Sequence, residues 1–168
     1  MNVNFYKDLH TRELTRKKEL DDSLNMPITI LSLLIALNGI LIKEYLSFIS
    51  NNWVFYLFFT GVLVICGAIF FLIKSMGSLF VNLDYNYFGY PNEILDFENK
   101  LNDYNKEVKK SERVNVENEF KKEFVRISTS NKKINDKRAD NLHYCRSCLV
   151  IAVSISVALL ICLLIKTL

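Results

Sequence analysis

Glycine and proline are both missing from residues 116–168, the last third of this 168-residue sequence. Without those breakers nothing local ends a helix there. Charge is missing in stretches as well: residues 26–42, 45–73 and 147–165 contain no Asp, Glu, Lys or Arg. Each run is of the order of the ~20 residues that cross a bilayer. Histidine is scarce, with only His10 and His143, and the carboxylates are scattered over polar helix faces rather than paired in an apolar setting. No Walker loop, dinucleotide fingerprint, GxSxG or HExxH is present. The expectation is a protein without enzymatic activity and without a cofactor. Four cysteines form no disulfide framework: Cys66 and Cys162 lie inside apolar runs, Cys145 and Cys148 at the edge of one. That usage suits a soluble part facing a reducing cytosol. His143, Cys145 and Cys148 suggest zinc, but on a helix His143 points about 200° away from Cys145. Buried thiols at a span edge are the simpler reading, and no metal is expected. The net charge of +3 is too small to imply a nucleic-acid partner by itself.

What is there fits an all-α membrane protein. Three transmembrane helices are expected with a cytosolic helical hairpin, the last helix being continuous with the third span. Residues 1–25 read as a charged cytosolic helix, 26–73 as a transmembrane hairpin, 74–146 as a cytosolic helical module and 147–165 as the third span. Residues 1–25 carry five basic and five acidic side chains ahead of any apolar run, which is unlike a secretory signal. Residues 1–25 hold five Lys/Arg, the first interspan loop one (Lys43), and residues 74–146 fourteen. Positive charge near spans stays on the cytoplasmic side, so the N-terminus and residues 74–146 are expected inside and the C-terminus outside.

Pro27 suits the first turn of a helix, so the chain is expected to break or kink just before it. In the first span Asn25, Thr29, Ser32, Ala36, Gly39 and Lys43 recur every three or four residues and share one helical face. A stripe of small residues either packs against a neighbouring helix or lines a water path in an oligomer, with Thr29, Ser32, Ala36 and Gly39 facing the pore. The second span is bulky and reads as the lipid-facing wall. Residues 82–92 (NLDYNYFGYPN) are rich in aromatics and turn formers. Their tyrosines either stack on nucleobases or pack the cytosolic helices, and packing is the favoured reading. Ile94, Phe97, Leu101, Tyr104 and Val108 then form a narrow 3-4 seam, as in helix-on-helix packing. After a break over residues 109–115, Val116, Phe120, Phe124, Ile127 and Ile134 supply the facing stripe.

Lys132, Lys133, Lys137 and Arg138 make the most concentrated basic cluster. Lys137 lies ten residues before the third span, roughly 15 Å along a helix. That exceeds a Debye length of ~8 Å, so headgroup attraction is weak there and an anionic ligand becomes a reading beside membrane anchoring. Asn131, Asn135 and Arg138 add hydrogen-bonding capacity on one face.

The charged helix entering a two-span hairpin, the segment DYNYFGYPNEIL, and NKKINDKRADNL leading into the last span together resemble small SLATT-like bacterial membrane effectors of anti-phage defence. These are found beside nucleotidyltransferases, and both CBASS-type and Hailong-type effectors fit. A two-span SLATT core does not require the third span. The resemblance implies a bacterial inner-membrane homo-oligomer that forms a pore in the lipid bilayer. It also implies gating by a nucleotide or oligonucleotide made by a partner nucleotidyltransferase. A membrane-anchored interaction subunit that conducts nothing, holding a cytosolic partner by the Ile94–Val108 seam, is the alternative.

Overall fold

The computed structural model describes residues 3–49, 52–77 and 85–167. Every regular element among them is helical: α1 (Val3–Asp22), α2 (Asn25–Ile49), α3 (Asn52–Ser75), α4 (Pro91–Glu107), a 3-10 turn (Lys110–Glu112) and α5 (Val116–Thr167). Three helical stretches, ending in α2, in α3 and in α5, are long and apolar enough to cross a membrane. The break expected before Pro27 falls at Ser23 and Leu24, where the Ser23 hydroxyl and N–H both return to the Glu19 carbonyl. Pro27 then lies in the first turn of α2, where its missing N–H leaves no bond unmade. At 52 residues α5 is about 78 Å long at 1.5 Å per residue. It begins at Val116, as the apolar stripe predicts.

The chain divides into two compact units. One comprises Met1–Lys18 and Asp84–Asn135, the other Glu19–Leu83 and Asp136–Leu168. Helices α1 and α5 contribute to both.

The second unit is a three-helix bundle. Leu24, Leu31 and Leu34 meet Ile65, Ala68 and Leu72 of α3 and Leu142, Cys145, Leu149 and Ala152 of α5. A second cluster joins Leu41, Val54 and Leu159. Between spans the hydrophobic effect gives little, because lipid is as apolar as leucine, and close packing has to do more. Ala68 and Ala152 are fully buried, and a Cβ at Gly61 would come within 3.1 Å of Ile155. Small residues thus set how closely α3 approaches α5.

The first unit is built on aromatics. Phe88 stacks on Phe124 at 4.2 Å between ring centroids, and Phe120 contacts both Phe88 and Phe97. His10 of α1 lies 6.1 Å from Phe124. The Asn105 side chain holds the loop between α4 and α5, accepting from Val114 N–H and donating to its carbonyl, both at 2.7 Å. Glu93 accepts the Tyr90 N–H at 3.0 Å and so caps α4, with Pro91 opening its first turn.

Candidate functional site

Along α5 the buried positions run Ile127, Asn131, Ile134, Arg138, Leu142, Cys145, Leu149 and Ala152, every three or four residues. The apolar stripe therefore continues in register through polar side chains, and these have partners. Asn131, wholly buried, reads the backbone of Asn86 in both directions: it accepts from Asn86 N–H at 2.9 Å and donates to Asn86 C=O at 2.8 Å. One turn on, Asn135 accepts from the Tyr85 hydroxyl and donates to Glu13, both to its carbonyl (2.8 Å) and to its carboxylate (3.0 Å). Lys17 completes this face of the first unit, with its ammonium 4.7 Å from the centre of the Tyr85 ring and donating to Tyr87 Oη. Tyr85 and Phe88 are thus packing residues, whereas Tyr87 and Tyr90 are exposed.

The four basic residues of α5 are placed differently from one another. Lys132, Lys133 and Lys137 are exposed. Lys133 and Lys137, four apart, share a helix face; Lys132 is turned about 100° from Lys133. Arg138 is 2% exposed and belongs to the buried stripe. Its Nε donates to Ser75 C=O at 2.7 Å and its terminal nitrogen to the Asp21 carboxylate. Within the second unit it ties α5 to the last turns of α1 and α3. Gly77 follows in a left-handed conformation (φ +74°), and a Cβ there would meet Arg138 Cδ and Nε at 3.2 Å. Glycine is required at this position both for the backbone and for the space. An anion reaching this stretch of α5 finds three lysines; the guanidinium is occupied within the fold.

The stripe on α2 is open. Thr29, Ser32, Ala36 and Gly39 are all exposed, and a Cβ at Gly39 would touch nothing within 4 Å. The helix packs instead through Pro27, Leu31, Leu34 and Leu41, which lie roughly 150–170° around from the stripe at 100° per residue. Thr29 and Ser32 donate their hydroxyl protons to the carbonyls of Asn25 and Ile28 on their own helix. This face consequently offers small volume and hydroxyl lone pairs, with no unmade donor.

A cavity of about 340 Å³ in the first unit is walled by Phe88, Ile94, Phe97 and Phe120. Glu93, Glu119, Glu123 and Lys122 also line it. Glu119 pairs with Lys122 at 2.6 Å and Glu123 takes both branches of Arg126. The hydrogen bond from Arg126, ahead of its charge, holds the Glu123 carboxyl below the usual range. Two of the carboxylates are thus paired with cations, so this aromatic-walled slot of mixed charge is a different kind of place from the three exposed lysines. All four cysteines are free thiols. Among the described residues no three His, Cys, Asp or Glu side chains gather as metal ligands; Cys145 is buried while His143 is exposed.

No protein-family model, curated protein or solved structure matches the chain.

Proposed function

We propose that this protein is a homo-oligomeric membrane effector whose copies surround a conducting path, with Thr29, Ser32, Ala36 and Gly39 of α2 on the inner side. The observation that carries the reading is the open face of α2: its small and hydroxyl-bearing residues are exposed and lie away from the helix's own packing surface, and a Cβ at Gly39 would meet nothing within 4 Å. Three spans are too few to enclose water, so conduction requires several chains. Lys132, Lys133 and Lys137, on the helix that continues as the third span, receive an anionic signal. Its nucleotide or oligonucleotide nature comes from the resemblance of NKKINDKRADNL to that region of SLATT-like effectors. The distribution of Lys and Arg puts the N-terminus and residues 74–146 on the cytoplasmic side.

The test is dye or ion flux across liposomes containing the purified chain, with cysteines placed singly along α2. Thiol reagents in water should block flux through cysteines at Ser32, Ala36 or Gly39. Sealed liposomes at every protein density, both without and with added nucleotides or short oligonucleotides, would end the conduction reading. A second reading has its own observation: no residue of α4 is buried, and Phe97 and Tyr104, which share one face, lie more than two-fifths exposed. That is the surface an interaction subunit would use to hold a partner. It predicts sealed liposomes, together with loss of the partner on Phe97→Ser and Tyr104→Ser substitution.

A further inference from the structure

Within the second unit a groove of about 340 Å³ runs between the start of α2 and α5. Pro27 and Ile30 form one wall, Leu149, Val150 and Val153 the other, and Arg146 and Ser154 mark its length. The Ser154 hydroxyl is turned onto the Val150 carbonyl at 2.9 Å, so it does not offer its proton to the slot. Arg146 is exposed, and among the described residues its guanidinium has no hydrogen-bond or ion-pair partner.

Arg146 immediately precedes the charge-free run 147–165. Ser154 is eight residues further, about 12 Å along the helix, against a half-thickness of ~15 Å for the hydrocarbon core. The groove therefore starts at headgroup level and follows the helix through most of one leaflet. A protein helix docking in a membrane wants a face of small residues. Branched side chains here leave a narrow crease, which suits a flexible acyl chain. Guanidinium is the side chain best matched to phosphate, through two parallel N–H···O bonds, and a net negative headgroup adds attraction that a zwitterionic one lacks.

We infer that this groove binds one anionic phospholipid, its acyl chain lying between Ile30 and Val153 and its phosphate on Arg146. The site goes beyond the proposed conduction and needs only that residues 147–165 cross the bilayer.

The experiment titrates the full chain, in mild detergent, with phosphatidylglycerol or phosphatidylcholine of identical acyl chains and counts retained lipids by native mass spectrometry. The wild type should retain one phosphatidylglycerol with a preference of about fivefold, the value of one basic side chain beside a net negative headgroup. Arg146→Gln should erase the preference while leaving weak binding of both lipids. Val153→Trp, which fills the slot, should lose both. If circular dichroism shows that this variant has lost helix, Val150→Trp on the same wall replaces it. Equal retention of the two lipids by the wild type would overturn the site, as would an unchanged preference in Arg146→Gln. Displacement of the lipid by excess inorganic phosphate would overturn it too, since the groove would then contribute nothing. None of these outcomes touches the flux assay, so a missing lipid preference leaves the conduction reading standing.

Discussion

Replacing Asn131 with alanine removes a side chain that is wholly buried and meets Asn86 through both its amide atoms. The Asn86 N–H and C=O lose their partners at 2.9 and 2.8 Å. An orphaned buried polar group costs about 1–3 kcal/mol. Asn86 is half-buried, so water recovers part of that, and about 2–4 kcal/mol is the expected total. Local opening of residues 85–90 should then increase roughly 30- to 700-fold, at tenfold per 1.4 kcal/mol. Amide hydrogen exchange of the full chain reads this directly, and chymotrypsin cleavage after Tyr85, Tyr87 or Phe88 reads it independently. Asn131→Asp should be no better: it keeps the acceptor for Asn86 N–H but turns a carboxylate oxygen on Asn86 C=O. Asn102→Ala, at an exposed position of α4, is the control and should change nothing. If Asn131→Ala leaves protection of residues 85–90 within about twofold of wild type, the two bonds do not hold the segment and the reasoning fails.

The other expectations follow from single contacts. Arg138→Gln abandons Asp21, which is half exposed, and weakens the hold on Ser75, so a loss of about 1–3 kcal/mol is expected in thermal melts. Gly77→Ala should cost about 1–2 kcal/mol through its left-handed backbone; wild-type melting in both variants would refute the clasp. His10 is buried beside Phe124, and burial pushes its pKa below the ordinary 6.5. The folded chain then refuses a proton that the unfolded chain accepts, so stability is full above 6.5 and falls as pH drops below it. His10→Phe should flatten that slope in pH-dependent melts, and an unaltered slope would assign it to other groups. Gly39→Leu meets nothing inside the chain, so melting should stay within about 0.5 kcal/mol. Flux across liposomes should nonetheless diminish, because the leucine would narrow the path; unchanged flux would remove this face from the conducting path.

The helices were readable because their signals are local. A 19-residue uncharged run announces a span by itself, and Pro27 and Pro91 mark helix starts through their own missing N–H groups. The α4 seam was equally plain in its spacing, yet Phe97 and Tyr104 on it are exposed, since period alone does not say whether a partner covers a face. Arg138 shows what spacing hides. Within NKKINDKRADNL it looks like its lysine neighbours, but its partners lie 117 and 63 residues away. The same holds for Asn135 and Glu13, separated by 122. One signal was available: counted at three and four from Ile127, the buried stripe passes through Asn131 and Arg138 before reaching Leu142 and Cys145. Register, more than residue type, distinguished them from the lysines.

The order in which a ribosome delivers the chain gives α5 a further significance. Each unit combines an early stretch with part of this last helix, so neither can close while α5 is still unmade. Asp21 and Ser75 must wait for Arg138, and Glu13 and Tyr85 for Asn135. The two kinds of waiting differ in hazard. Leu31, Ile65, Ala68 and Leu72 belong to helices apolar enough to cross a membrane, and once inserted they would wait in lipid, which is as apolar as the side chains they will meet. Phe88 and the apolar side of α1 have to wait in water, where uncovered aromatic surface invites aggregation. A nascent chain stalled before residue 116 would therefore be vulnerable in its first unit and comparatively safe in its second.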